Sequence, residues 1–303
     1  MSNLAVLVIC FCLGIWLRSS GRLPQDAHKA LNAFVINIAL PAMILRYVPN
    51  IHLAWPLLLP ALMPWLLFTV GAAFFLAVGW FRGWSRQTIG GLMLSGGLAN
   101  TSFVGLPMIE TFYGTEFLVI GIVADQLGTY MVLSTLGVMV AILCCGSGNQ
   151  LSISEVLRRI VAFAPFQALV LGLLLIPFSQ PEVVVAVLDR LGGTLAPVAL
   201  VSVGYQLRLN ELRGSLEELG MGLLFKLLLG PALVAAFFII GLGSTGKVLE
   251  VTIFEAAMGP QIGGAVVAIQ YGLNARLVTL MVGIGLPASL MTAAAWYWLL
   301  NGI

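Results

Sequence analysis

Three side chains with hydrogen-bonding groups stand together inside an apolar stretch, at Asn100, Thr101 and Ser102. The amide of Asn100 can donate to a carboxylate and accept from a hydroxyl or a cation. Gly105 and Pro107 follow, and glycine loosens the backbone while proline removes a backbone donor. The pattern predicts an interrupted helix whose freed N–H groups and positive dipole end favour an anion. Two simpler interpretations exist. The stretch is an ordinary helix with a proline kink, or Asn100 serves only to cap the broken helix.

A second apolar stretch, residues 255–272, repeats this pattern. Its apolar run is interrupted by a similar set of glycine, proline and amide residues: Gly259, Pro260, Gln261 and Gly263. Both stretches end in Tyr-Gly, and aligning these ends places Gly105 on Gly263. Two interrupted helices at matching positions of two chain halves are typical of a transporter binding site near the middle of the membrane.

The predicted substrate site takes residues from both stretches. Thr101 and Ser102 either line this site or bond back to their own helix. Gln261 is the counterpart of Asn100, with capping as its alternative role. Pro107 and Gly263 are predicted to break the two helices. The residues assigned to substrate binding are Asn100, Thr101, Ser102, Gly105, Gly259, Pro260 and Gln261.

Four further charges fall inside apolar segments, where a charge needs a partner, a wet cavity or a proton. We interpret Asp125 and Lys226 as candidates for coupling or gating. Asp125 is expected either to bind and release a proton or to pair with Lys226 or Arg190. Asp189 and Arg190 are adjacent and point about 100° apart on a helix, so each is expected to form a structural ion pair with a different neighbour.

Glu110 and Glu255 lie near the predicted outer ends of the two interrupted helices. We expect them to be solvated end charges. No lysine or arginine falls within residues 87–112 or 249–271, so an anion at the breaks would depend on helix dipoles and amides, unless Lys226 or Arg190 reaches it.

The composition sets the class of protein. Of 303 residues, 60% are hydrophobic and 9% charged, against about 25% charged in a soluble domain. The chain is therefore predicted to be an all-α polytopic membrane protein. Residues 3–17 lack the basic region and cleavage site of a signal peptide and are expected to be a retained first span. The four cysteines show no zinc-binding spacing, and we expect no metal.

Windows of about 20 apolar residues predict ten transmembrane helices. A polar stretch divides them into a first five-helix repeat at 1–146, a cytoplasmic linker at 147–154 and a second repeat at 155–303. Because five is an odd number, the repeats are predicted to be inverted. The ten spans are 3–17, 30–48, 55–80, 87–112, 117–143, 156–177, 183–206, 217–242, 249–271 and 276–300.

Positive charges give the orientation, since cytoplasmic loops carry an excess of lysine and arginine. The opposite loops hold only Arg46 and Lys247. Both termini are therefore predicted to be periplasmic, in a multi-pass protein of the inner (plasma) membrane. The cytoplasmic set is Arg18, Arg22, Lys29, Arg82, Arg86, Arg158, Arg159, Arg208, Arg213 and Arg276.

Several runs resemble the auxin efflux carrier family over essentially the whole chain. They are Leu-Asn-x-Phe-Val followed by Ala-Leu-Pro-Ala in the second span, Ala-Asn-Thr-x-Phe-x-Gly-Leu-Pro at 99–107, and the run from Gly283 to Pro287. The resemblance implies crossing broken helices four and nine, a scaffold of helices one, two, six and seven, and a moving bundle of the other six. Scaffold and bundle are thus interleaved across both repeats. Ala99 stands where plant members often have proline, and their long cytoplasmic loop is absent, which favours a bacterial type of carrier.

These features predict a secondary transporter of a small organic anion, such as a mono- or dicarboxylate, that works by alternating access, with efflux as the expected direction. A sodium-coupled organic-anion symporter of the bile-acid type, which shares the broken-helix plan, is the first alternative. A channel or an intramembrane enzyme fits less well, because no catalytic motif is present. The expected partners are the organic acid and the lipid bilayer, without nucleic acid, and the scaffold helices offer a surface for a homodimer. No cofactor is expected, and coupling would use protons or sodium.

Overall fold

The structure, a computed structural model, describes residues 2–50, 57–145, 158, 161–206 and 215–301. Over these ranges it is built from helices, and the sole β-type pairing among them is an isolated bridge between Ala99 and Pro260. The predicted linker at 147–154 lies outside the described residues, as do Arg159, Arg208 and Arg213.

Within each described range the helices follow one another with short connections. In chain order they are α1 Ser2–Ser19, α2 Ala27–Phe34, α3 Leu40–Tyr47, α4 Leu58–Arg82, α5 Arg86–Gly96, α6 Leu106–Phe112, α7 Leu118–Val123, α8 Tyr130–Val132, α9 Val138–Cys145, α10 Ala164–Leu174, α11 Glu182–Gly192, α12 Leu195–Gln206, α13 Leu216–Leu224, α14 Gly230–Ala236, α15 Lys247–Ala256, α16 Ile262–Gln270 and α17 Ala275–Leu300. Wide π turns, in which the backbone bond spans five residues, continue several of these helices without a break.

Six continuous helical segments of the described chain are long and apolar enough to cross a membrane. At 1.5 Å per residue, their 24 to 31 residues exceed the roughly 30 Å of a hydrocarbon core. Shorter apolar helices lie at Val8–Ser19 and Ala164–Leu174. These spans establish an all-helical, multi-pass membrane architecture, while ten helices in two inverted repeats remain a prediction. The six are Ala27–Asn50, Leu58–Arg82, Thr115–Cys145, Glu182–Tyr205, Leu216–Gly241 and Ala275–Leu300.

Helices α1 and α12 touch backbone to backbone. A side chain added at Gly14 would collide with the carbonyl oxygen of Val201, and one added at Gly204 would collide with that of Phe11. Small residues let membrane helices approach this closely, which gains van der Waals contact in a solvent where the hydrophobic effect between helices is absent. Close backbone packing at Gly14 and Gly204 therefore holds α1 and α12 together.

Helix α3 packs against α10 and α11, and an ion pair reinforces this contact. Nε of Arg46 donates to the carboxylate of Asp189 over 2.7 Å. Asp189 thus forms the structural ion pair expected of it, with a partner from another helix. Arg190 is exposed at the same end of α11.

Helix α5 lies at the centre of a second group of helices and contacts α4, α9, α16 and α17. Its residues from Thr88 to Gly96 are buried. A side-chain cap fixes where α5 begins, because the Ser85 hydroxyl accepts from the backbone N–H of Thr88. Asn274, which caps the start of α17, in turn donates to the Thr88 hydroxyl over 3.1 Å. The starts of α5 and α17 are therefore held together.

Candidate functional site

The first interruption lies between α5 and α6. Helix α5 ends at Gly96, and the chain resumes a helical path at Thr101, after four non-helical residues. Asn100 caps the new segment, since its Oδ1 accepts from the backbone N–H of Phe103 over 3.1 Å. The capping role considered for Asn100 is therefore present, and it occupies only one end of the amide.

Pro107 does not break this helix. It is the second residue of α6, which continues directly from a π turn at Thr101–Gly105. The wide turn bonds Leu106 N–H to Thr101 and Gly105 N–H to Asn100, so the missing donor of the proline falls where the hydrogen-bond register already changes. The break lies seven to ten residues earlier, at residues 97–100.

The second interruption lies between α15 and α16. Helix α15 ends at Ala256 and α16 begins at Ile262. Pro260 and Gln261 lie in the gap as predicted, but Gly263 belongs to the first turn of α16 and does not break it. A side chain at this glycine would press against Leu133, so its small size serves packing.

The two interruptions hydrogen-bond to each other. The N–H of Asn100 donates to the carbonyl oxygen of Gly259 over 2.9 Å, and the N–H of Gln261 donates to that of Ser95 over 3.1 Å. The bridge between Ala99 and Pro260 lies between these two bonds. Backbone groups freed by a break cannot face lipid, and here each break supplies partners for the other.

Amide groups remain at this junction. Nδ2 of Asn100 is buried without a hydrogen-bond partner. Gln261 is 7% exposed, and its side chain does not cap α16. A buried donor without a partner costs free energy, so the Asn100 amide is available to donate to an acceptor such as a carboxylate.

Asp125 lies beside the first interruption and is bound there. The Thr101 hydroxyl donates to its Oδ1 over 2.6 Å, and Nε2 of Gln126 donates to its Oδ2 over 2.7 Å. Of the two alternatives for Asp125, pairing with Lys226 or Arg190 is wrong, because these polar neighbours take the place of a cation. The alternative, binding and release of a proton, stays a prediction.

Glu255 is fully buried, so the expectation of a solvated end charge is wrong. The reason is its position in the next-to-last place of α15, directly before the break. Its carboxylate fills the space that a side chain at Gly105 would occupy, and Oε1 would lie 3.0 Å from a Cβ at Gly121. Gly105 therefore makes room for a buried carboxylate, while Glu110 is half-buried.

Lys226 is also fully buried, on the π turn after α13. Its ammonium donates to the carbonyl oxygen of Ala256 over 2.7 Å. This carbonyl ends α15 and has no partner in the next turn because the helix stops there. Lys226 thus supports the end of α15 that leads into the second interruption.

A cavity of about 680 Å³ runs along α16. One wall comes from α1 and α2 and the other from α16 and α17. Its lining starts at Ile262, the first residue after the second break, and reaches Gln270 at the other end of the helix. The polar residues of the lining are Arg18, His28, Lys29, Asn32, Gln270 and Thr279.

The structure places Asn100, Gly259, Pro260 and Gln261 together, as predicted from the sequence, and adds three contributors that were not predicted. Arg18 and Lys29 were assigned to orientation alone, and Gln126 was not considered. Polar or charged positions near helix ends are normally solvated, so only the three-dimensional arrangement reveals that Arg18 and Lys29 face one cavity. Gln126 carried a usable signal, as an amide next to a carboxylate inside an apolar span.

Helices long and apolar enough to cross a membrane, two interruptions that satisfy each other's backbone groups and an adjoining cavity with cationic residues in its lining are typical of a membrane transport protein. The chain matches the family described as membrane transport protein over residues 1–145 and 148–297. It belongs to this family, which is the auxin efflux carrier family suggested by the residues at 99–107.

Two archaeal relatives match over nearly their full length. A protein of Methanothermobacter thermautotrophicus, named an uncharacterized transporter, is 28% identical over 299 residues, covering 97% of this chain and 95% of the relative. Another uncharacterized transporter, from Methanocaldococcus jannaschii, is 26% identical over 310 residues, covering 99% of this chain and 98% of the relative.

Proposed function

We propose that this protein is a secondary carrier that moves a small organic anion, a mono- or dicarboxylate, across the inner membrane by alternating access and in the direction of efflux. Membership of a transport family gives the class of activity. The geometry and charges of the site support the substrate class and the mechanism.

The observation that carries the proposal is the position of the cavity relative to the paired interruptions. The cavity begins at the first residue of α16, directly after Gln261, and follows this helix for its whole length. Its volume of about 680 Å³ falls within the roughly 300–1,000 Å³ of small-molecule sites. A metabolite in this space would reach the N-terminal end of a half-helix, where N–H groups and the helix dipole favour an anion.

The charges of the cavity support the same substrate class. Arg18 and Lys29 are the charged residues among those that line it, and both are cationic. Arg18 is held in place, because its guanidinium donates to the carbonyl oxygen of Tyr205 over 3.1 Å. Clefts lined by one sign of charge attract ligands of the opposite sign. The end that carries these residues is predicted to face the cytoplasm, so the cavity would collect anions from inside the cell.

Alternating access follows from which helices form the two walls. Helices α1, α2 and α12 are joined by the α1–α12 contact and by the Ser202 hydroxyl, which donates to Oδ1 of Asn32 over 2.5 Å. Helices α16 and α17 pack on α5 instead. Movement of the second group against the first would close this cavity and open one on the other side, while the paired interruptions stay intact.

Counterflow in proteoliposomes tests the proposal. A thermal-shift screen of organic acids, amino acids and auxin-like compounds, with and without sodium and at two pH values, first identifies a stabilising ligand. Vesicles loaded with unlabelled ligand should then accumulate the labelled ligand transiently. Downhill flux without counterflow would indicate a channel, and strict dependence on sodium would indicate the symporter. A failure of every organic anion to stabilise the protein or to exchange would contradict the substrate class.

A further inference from the structure

Glu255 is the buried acidic group with the fewest partners near the paired interruptions. Its side chain is fully buried, and neither carboxylate oxygen has a hydrogen-bond partner. Glycines at positions 105 and 121 surround it and offer no side-chain donor. Burying an ionised carboxylate without hydrogen bonds costs far more than burying the neutral acid.

Asp125 has the opposite surroundings. Thr101 and Gln126 donate to its two oxygens over 2.6 and 2.7 Å. Donors of this kind stabilise the ionised form of a carboxyl group. Of the two acidic residues, Asp125 is therefore equipped to keep a negative charge and Glu255 is not.

The local charge balance also requires a proton. Glu255 is close enough to interact electrostatically with both Asp125 and Lys226. The ammonium of Lys226 is hydrogen-bonded to the Ala256 carbonyl and not to a carboxylate. Two ionised carboxylates would set two negative charges against one ammonium in this buried region. A single proton on Glu255 leaves one negative and one positive group.

No other nearby charge provides this balance within the described chain. Helix α15 packs against α4, α7, α14, α17 and the π turn at Thr101–Gly105. The remaining charged or titratable side chains on α15 and these elements lie elsewhere: Lys247 and Glu250 pair with each other, Arg82 pairs with Glu217, Tyr297 packs on Phe254, and Arg276 stands at the start of α17.

We propose that Glu255 is a proton-binding site of this protein, protonated in the present conformation, and that the carrier exchanges this proton once per transport cycle. The second clause rests on the proposed function. Glu255 is occluded here, so proton exchange requires a conformation that admits water next to Gly105. Loss of the proton would leave Glu255 and Asp125 both charged, which links the protonation state to that conformation.

Infrared difference spectroscopy of the purified protein tests the binding site without any substrate. The parent at neutral pH in potassium chloride should show the C=O stretch of a buried protonated carboxylic acid. Glu255→Gln should lose this band, and Glu116→Gln, the matched control at an exposed glutamate, should keep it. Retention of the band in Glu255→Gln, its loss in Glu116→Gln, or its removal from the parent when sodium replaces potassium would each overturn the proposal.

A second substitution and a transport measurement complete the test. If Glu255→Gln does not purify as a folded protein, Glu255→Asp should shift the band, and an unchanged band would overturn the assignment. In proteoliposomes, Glu255→Gln should retain counterflow and lose accumulation driven by a pH gradient. Accumulation equal to that of the parent would overturn the coupling role. Absence of counterflow in the parent would instead contradict the proposed function and leave the infrared result standing.

Discussion

The backbone N–H of Asn100 donates to the carbonyl oxygen of Gly259, joining two interruptions that lie in opposite halves of the chain. Together with the bond from Gln261 to Ser95, it makes each break a structural support of the other. Neither half-helix can shift alone without leaving a buried backbone group unpaired, which costs about 1–3 kcal/mol. We therefore expect the junction to move as one body during transport.

Replacement of Asn100 should separate its capping role from substrate binding. Asn100→Ala removes the acceptor for Phe103 N–H and should cost about 0.5–2 kcal/mol of stability. It also removes the unpaired Nδ2 donor and should weaken anion binding roughly 10- to 150-fold. The measurements are thermal melting and ligand titration.

Asn100→Asp is the matched control for this prediction. It retains an acceptor for the cap but places a negative charge where the amide donated. Because Asn100 is fully buried, this charge should cost stability even though the cap is retained, and we expect the variant to bind the anion no better than Asn100→Ala. Parent-like affinity in the Asp variant would contradict a role for Nδ2 in binding.

Gly264 should tolerate no side chain, because a Cβ there would collide with the carbonyl oxygen of Leu94 on α5. Overpacking costs about 1–3 kcal/mol where neighbours can shift, and a backbone carbonyl shifts little. Gly264→Ala should therefore lower the melting temperature. Gly220→Ala is the control, since nothing lies within 4 Å of its added Cβ and alanine favours a helix by about 0.5–1 kcal/mol. Equal melting temperatures for the two variants would refute this packing.

Lys226 should contribute through its hydrogen bond to Ala256 as well as through its charge. Lys226→Met removes both, whereas Lys226→Gln keeps a donor on a shorter chain. We expect the Met variant to be less stable than the Gln variant by about 1–3 kcal/mol, the cost of an unsatisfied buried carbonyl. Chemical or thermal denaturation in detergent would measure this difference. Identical stability would assign the whole effect to charge.

Lys29 should raise the rate at which anions enter the cavity along α16, because it is exposed and lines this cavity together with Arg18. The effect should depend on salt. Lys29→Gln should reduce uptake from the cavity side by up to about fivefold at low ionic strength, the equivalent of about 1 kcal/mol. At about 1 M salt, where the Debye length is about 3 Å, the difference should vanish. Arg22→Gln, which removes a charge outside the cavity lining, should have little effect at either salt concentration. Equal effects of the two variants would indicate a general surface potential.

The inverted repeat predicts the side on which the chain's midpoint lies. In a variant without Cys10, Cys12, Cys144 and Cys145, a single cysteine at Gln150 should react with a membrane-impermeant maleimide only from the cytoplasm. A cysteine at Thr245, which is exposed in the connection before α15, should react only from outside. Labelling of both from the same side would exclude the five-plus-five inversion.

Much of the helical plan could be predicted because its signals are local. Apolar runs indicate spans, and both Tyr-Gly pairs stand where helices end, with φ of +103° at Gly114 and +68° at Gly272. Such left-handed backbone favours glycine. The two interrupted stretches were found for the same reason, since each combines glycine, proline and an amide within one apolar run and the two runs occupy matching positions of the chain halves.

The exact position of each break and the depth of Glu255 could not be predicted. We assigned the breaks to the strongest helix-breaking residues, but a π turn accommodates Pro107 and close packing explains Gly263. Helix α15 has ten residues and is about 15 Å long, half of a bilayer core, so we expect its end to lie near the middle of the membrane. Only the location of the break leads to this expectation for Glu255 in place of a position at the surface.

The contact between Gly14 and Gly204 provides a coordinate frame for studying the carrier in motion. Two helices whose backbones touch leave no room for sliding or rotation, so labels placed on α1 and α12 should keep a constant separation in every state. Distances from this fixed pair to a label on α16 would then report displacement of α16 directly. Spectroscopists could thereby distinguish a true rearrangement from tumbling or local disorder of the probe.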